Sequence, residues 1–273
     1  MFMIRSVFTV LLWLVATAAL TVGIGAGWAT VNVQSESGFV KLAGELGTDR
    51  EVQVSAADLT GQAFVEQVDV PLIFQAQVSR LISNTMVRFT DSAGWEGAWA
   101  ETVRRTHRGL FAGATPTDVV IDFAPLVGLA LDEMTSNLPI TLTAPDKLPV
   151  VVSKEDPSRL VSSVAQSGTV AVVALGIAAI AAGLALAITR RRSTTVAALG
   201  AGAVLAALIW YVAGRRLVPD VIDSRLAVDP AVSKLLSVLS DRVVASLDSW
   251  LLPVAAAGAV VFALGVFTRV AKR

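Results

Sequence analysis

Residues 168–188 read GTVAVVALGIAAIAAGLALAI, without one charged side chain, and run straight into Thr189-Arg190-Arg191-Arg192. About 20 apolar residues, at a rise of about 1.5 Å each, cross a hydrocarbon layer of about 30 Å. Three more charge-free stretches meet that requirement, 7–28, 196–213 and 250–268. Their ends carry Trp28, Trp210, Tyr211 and Trp250, amphipathic rings that favour a membrane interface. The expectation is an integral membrane protein with four transmembrane helices. The first stretch is longer than the apolar region of a signal peptide, roughly 7–15 residues, so it reads as a retained anchor.

Composition agrees. Of 273 residues 54% are hydrophobic and 16% charged, the mean hydropathy is +0.68, and a soluble domain carries about 25% charge. Lys+Arg and Asp+Glu are 22 each, so nothing suggests a nucleic-acid partner. With no Cys and one His, disulfides, thiolate chemistry, iron–sulfur clusters and Cys/His zinc sites are excluded. Neither metal nor cofactor is expected.

The connections differ in charge. Segments 1–6, 189–195 and 269–273 contain Arg5, Arg190, Arg191, Arg192, Arg269, Lys272 and Arg273 and no carboxylate. Every acidic residue lies in 29–167 or 214–249. The positive-inside rule places both termini in the cytoplasm and these two segments outside a plasma membrane. Arg215 and Arg216 oppose the trend but are outnumbered.

The resulting division is a cytoplasmic stub and first helix (1–28), an extracytoplasmic domain (29–167), a second helix (168–188), a basic turn (189–195), a third helix (196–213), an outer loop with an amphipathic helix (214–249), and a fourth helix with a basic tail (250–273). The domain is long enough to bury its own core. Its first half carries helical periodicity, through Phe39, Leu42 and Leu46, then Val52, Leu59 and Ala63, then 72–89. Asp91-Ser92 reads as the N-cap of a helix that runs to about Phe111. The second half changes to β-branched runs at 118–123, 140–143 and 150–153, with a helix near 124–136. The fold expected outside is therefore a helix-rich α+β domain containing a small sheet.

Asp156-Pro157 and Asp229-Pro230 each place a capping acid before Pro at a helix start. The stripe Leu160, Val161, Val164 then leads into the second span, and Val232, Leu235, Leu236, Leu239, Val243 into the fourth. Both spans should continue outward as stiff helix, with Pro253 a potential kink. Residues 230–249 have too balanced a polar face to lie on anionic lipid, so packing on the domain is favoured.

Candidate chemistry centres on the one His. Trp95, Trp99, Val103, His107 and Phe111 recur every four residues on one helical stripe. Trp95, Trp99, Arg104, His107 and Arg108 form a candidate ligand or partner site, with Arg104, Arg105 and Arg108 suited to a carboxylate or phosphate. The competing interpretation is a half-buried aromatic face with a hydrogen-bonded His and a Glu101–Arg105 pair. No hydrolase, nucleotide-binding or metalloprotease signature is present. The spans hold no ionisable residue of the kind that ion pathways use. They do hold small residues at spacing four, Gly23/Gly27, Ala179/Gly183 and Ala198/Gly202, which suit helix packing within the bundle or against other integral membrane proteins.

The pattern Trp95-x3-Trp99-x4-Arg104-x2-His107, followed by Val120-Ile-Asp-Phe-Ala-Pro125, resembles a group of uncharacterised actinobacterial integral membrane proteins. That group has four spans and a large extracytoplasmic domain after the first. Trp95 stands where the group has Phe, and Val103 where it often has Asn. The resemblance implies this architecture and a bacterial plasma membrane, and brings no activity with it. The function expected is a non-catalytic accessory or scaffold subunit of a membrane complex, an actinobacterial respiratory supercomplex being the host where it would fit. The alternatives are an extracytoplasmic ligand-binding receptor or, further off, a hydrolase built on His107.

Overall fold

The structure, a computed structural model, describes residues 2–67, 70–111, 118–135, 144–153, 157–225 and 230–271. Helix accounts for 87% of them. The elements run α1 (Phe2–Ala29), a π-helical turn (Thr30–Gln34), α2 (Glu36–Gly44), a 3-10 turn (Glu45–Thr48), α3 (Arg50–Gln67), α4 (Leu72–Phe89), α5 (Trp95–Phe111), β1 (Val119–Asp122), α6 (Ala124–Thr135), β2 (Pro149–Ser153), α7 (Ser158–Ala165), α8 (Ser167–Ile188), α9 (Arg192–Arg225) and α10 (Pro230–Val270). They form two compact units. One comprises residues 1–31, 163–218 and 244–273, the other 32–162 and 219–243.

The first unit contains four helices long and apolar enough to cross a membrane. α1 and α8 pack along their length. The buried face of α8 is a run of alanines, Ala171, Ala174, Ala178, Ala181 and Ala185, at helical spacing, while Val172 and Ile180 point outward. A helix apolar on every side is what hydrocarbon surroundings require. α9 and α10 approach through glycine: a Cβ on Gly258 would meet the Gly200 carbonyl at 3.0 Å and the Ala203 Cβ at 2.9 Å. Indole N–H groups cross between helices, Trp13 Nε1 to the Ala198 carbonyl at 2.7 Å and Trp210 Nε1 to the Thr21 carbonyl at 2.7 Å. Trp210 thus packs against α1, over Gly25 and Thr21.

The second unit has its core in Val52, Met86, Trp95, Trp99, Phe123, Leu126 and Leu148, all buried. Asp49 caps α3, accepting from the Glu51 N–H at 2.8 Å. β1 and β2 pair antiparallel with Ile121 opposite Val150 and a register shift between Val119 and Val120, and α6 lies between them in sequence. The strand expected at 140–143 lies outside the described residues.

Several expected boundaries move. α5 begins at Trp95, three residues after Ser92, whose Oγ is buried without a partner rather than capping. α9 does not stop at Ala213, where the apolar run ends, but continues to Arg225 through Arg215, Arg216 and Pro219. Main-chain bonding needs no apolar side chains, and Arg215 is held by Asp248 at 2.6 Å and lies 4.4 Å from the Tyr211 ring centroid. The segment 214–249 is accordingly mostly helix. The second span is not one helix with its stalk, because α7 and α8 are separated at Gln166. α10 does continue as a single 41-residue helix through Pro253, and Pro230 opens it. The capping acids Asp156 and Asp229 lie outside the described residues. Val232, Leu235 and Leu236 belong to the core of the second unit, so the amphipathic start of α10 packs on the domain.

Candidate functional site

α5 places Trp95, Trp99, Val103 and His107 on its buried face. A step of four residues advances about 6 Å along a helix, and each polar ring at such a step meets a main-chain carbonyl. Trp95 Nε1 donates to the Gly47 carbonyl at 2.7 Å and Trp99 Nε1 to the Ala43 carbonyl at 2.9 Å. His107 Nε2 lies 3.1 Å from both the Val33 and Gln34 carbonyls. Both partners are acceptors, so Nε2 carries the proton.

The partners descend in number as α5 ascends, because 33–47 runs antiparallel beside it. They also share a position: each carbonyl lies in the last turn of a helical segment, where carbonyls lack intrahelical donors. α5 therefore caps three helix ends in succession. The fit is close. The Trp95 and Trp99 rings stack with centroids 6.4 Å apart, and a Cβ on Gly47 would lie 2.5 Å from the Trp99 ring. His107 is flanked by Phe39 and Phe111, at centroid distances of 5.2 and 4.7 Å.

The arginines are engaged as well. Arg108 grips Glu36 through Nε at 3.0 Å and Nη2 at 3.4 Å. Arg104 bonds Glu101 and lies 3.5 Å from Glu36. Arg105 reaches Glu101 at 3.3 Å, Asp122 at 3.4 Å and the Asp146 carbonyl at 3.2 Å. Three guanidinium groups thus face three carboxylates. The hydrogen bond from Arg108 holds Glu36 below the ordinary carboxylate range. Burial pushes Glu101 up, but hydrogen bonds from Arg104 and Arg105 outweigh it and leave that carboxyl lowered too. Glu36 in turn raises Arg108 further.

Asp122 was not singled out as a site residue, yet it ties the strand-to-helix turn together. Its Oδ1 accepts from the Ala124 and Leu148 N–H groups at 3.1 and 2.8 Å while Oδ2 receives Arg105. An Asp closing a strand before a Pro-containing helix start was the available signal. Among the described residues no group of three His, Asp or Glu side chains is placed to hold a metal.

The small-residue candidates divide. Gly23 lies against Leu175 of α8, a Cβ on Gly27 would come within 3.7 Å of the Trp250 ring, Gly202 lies against Thr17 and Trp13, and Ala198 supplies the carbonyl to Trp13. Ala179 borders a cleft with Ala16, Thr17 and Leu20 of α1 and Gly202 of α9, whereas Gly183 is not among the buried alanines of α8. Both are exposed, and a Cβ at Gly183 or Gly176 would meet nothing. Gly25, Gly200, Gly258 and Gly265 also make close approaches, and the last three have no small residue four positions away to mark them in sequence. Comparison with protein-family models, curated proteins and solved structures gives no match.

Proposed function

We propose that the protein is a non-catalytic accessory or scaffold subunit of a bacterial plasma-membrane assembly, spanning the bilayer four times with both termini in the cytoplasm and the 29–167 domain outside. The observation that carries this reading is the outward pair Gly176 and Gly183 on α8, two helical turns apart, where an added Cβ would meet nothing among the described residues. In lipid such pairs let a second helix approach closely, and close packing is what drives association there. The α5 face supports the same reading from the other side, since its ring N–H groups and guanidinium groups are occupied by the domain itself. An actinobacterial respiratory supercomplex is the host proposed.

The test is a native pull-down through a C-terminal tag after mild solubilisation. The expected result is co-elution of other integral membrane proteins at near-equal amounts, respiratory subunits among them, and loss of that set from the Gly183→Leu variant with the chain still folded. A monomer or simple homo-oligomer eluting alone would overturn the proposal and favour the receptor reading.

A further inference from the structure

Within the four-helix unit, the start of α1 and the turn between α8 and α9 line a half-open cavity of about 550 Å³, inside the range of small-molecule sites, roughly 300–1,000 Å³. Arg5, Arg190 and Arg191 line it, and no carboxylate does. Arg5 and Arg191 make no ion pair among the described residues, the opposite of the arginines on α5. Like charges gathered from two separate segments repel one another, and a bound anion removes that repulsion. The hydroxyls of Ser6, Thr189 and Thr194 share the lining and supply neutral donors beside the guanidinium groups, a combination suited to the several oxygens of a phosphate ester. Further along the same wall stand Val10 and Ile188, at the ends of two helices apolar enough to lie in a bilayer. The cavity is therefore cationic and hydroxylated on one part of its wall and apolar on the next.

We propose that this cavity binds the headgroup phosphate of an anionic phospholipid, with Arg5 and Arg191 on the phosphate oxygens and Val10 and Ile188 against the first carbons of the chains. A basic pocket between transmembrane helices on the cytoplasmic side is a physically reasonable seat for such a headgroup. The inference rests on the membrane-spanning reading of α1, α8 and α9 and is independent of whether the protein is a scaffold subunit.

Arg192 provides the decisive control: it follows Arg191 directly at the start of α9, carries the same charge and does not line the cavity. The full chain, purified in neutral detergent, is titrated with dioleoyl phosphatidylglycerol and, separately, dioleoyl phosphatidylcholine, and bound lipid is counted by native mass spectrometry. One phosphatidylglycerol should be retained in preference to phosphatidylcholine. Arg5→Gln and Arg191→Gln should each weaken it about fivefold, the scale of one basic residue at an anionic surface, while Arg192→Gln leaves it within about twofold. Arg5→Lys, which keeps the charge, should recover most of the affinity and shows that the loss is not misfolding. Equal losses in all three Gln variants would mean diffuse attraction and would overturn the proposal. Full displacement by inorganic phosphate at millimolar concentration would also overturn it, by assigning the site to a free phosphate. A chain that retains the lipid but purifies without partners would refute the scaffold reading alone, and one recovered outside the membrane fraction would remove the basis of both.

Discussion

A buried ring N–H costs stability unless an acceptor takes it up, and Trp95, Trp99 and His107 each find one at a helix end. Removing them should be read as a loss of folding. His107→Ala removes the N–H that meets the Val33 and Gln34 carbonyls and opens a hole between Phe39 and Phe111, and should lower the stability of the full chain by about 3 kcal/mol in a denaturant titration. Trp99→Phe should cost less, about 1 kcal/mol, because the Ala43 carbonyl keeps the Glu45 N–H. A receptor site would behave differently, with binding lost and the melting temperature unmoved. The paired carboxylates add a pH dependence. Glu36 and Glu101 are lowered in the folded state, so their contribution is fully present above the unfolded value of about 4.3 and is lost as pH falls through the lowered folded values. Melting temperature measured down through that window should fall less steeply in the Glu36→Gln/Glu101→Gln variant than in the unmodified chain. The four-residue stripe announced in sequence that these side chains share a face. It did not announce that their polar atoms meet carbonyls at 33–47, since those partners lie about 50 to 70 residues away along the chain.

At the scale of elements, helix existence was legible and helix ends were not. Apolar length marks where a helix can lie in hydrocarbon, but the hydrogen-bond ladder continues until a cap or a competing contact stops it, which is why α9 runs past Ala213 and why α8 begins afresh after Gln166. The same distinction governs the glycines. Gly200 faces the Gly258 carbonyl at 2.6 Å from its would-be Cβ, and backbone cannot move aside as a side chain can. Gly200→Ala should therefore destabilise the α9–α10 pair by about 1–3 kcal/mol, measured as thermal aggregation of the detergent-solubilised protein. Gly183→Ala, in open space, should leave that measurement unchanged.

For the whole molecule, the decisive feature is that residues 219–243 join 32–162 in one compact unit, although two helices long and apolar enough to cross a membrane separate them in the chain. Val232, Leu235 and Leu236 are buried in that core, and burial of such side chains is worth about 1.5–3 kcal/mol each against a total stability of about 5–15 kcal/mol for a typical domain. Residues 32–162 expressed alone should consequently bind a hydrophobic dye and show poor amide dispersion, and a peptide covering 219–243 added in trans should reverse both. Sequence by itself determined the four apolar helices, the helical first half and the β-branched second half of the domain, because each depends on side-chain periodicity within one short window. The expected small sheet is present as β1 and β2. Only the tertiary structure decided which carbonyls α5 caps, which glycines carry the helix crossings, which face of α8 stays open and that the start of α10 completes the domain. Each of those is a contact between residues far apart in the chain, and the energy of such a contact depends on a partner that no local pattern names.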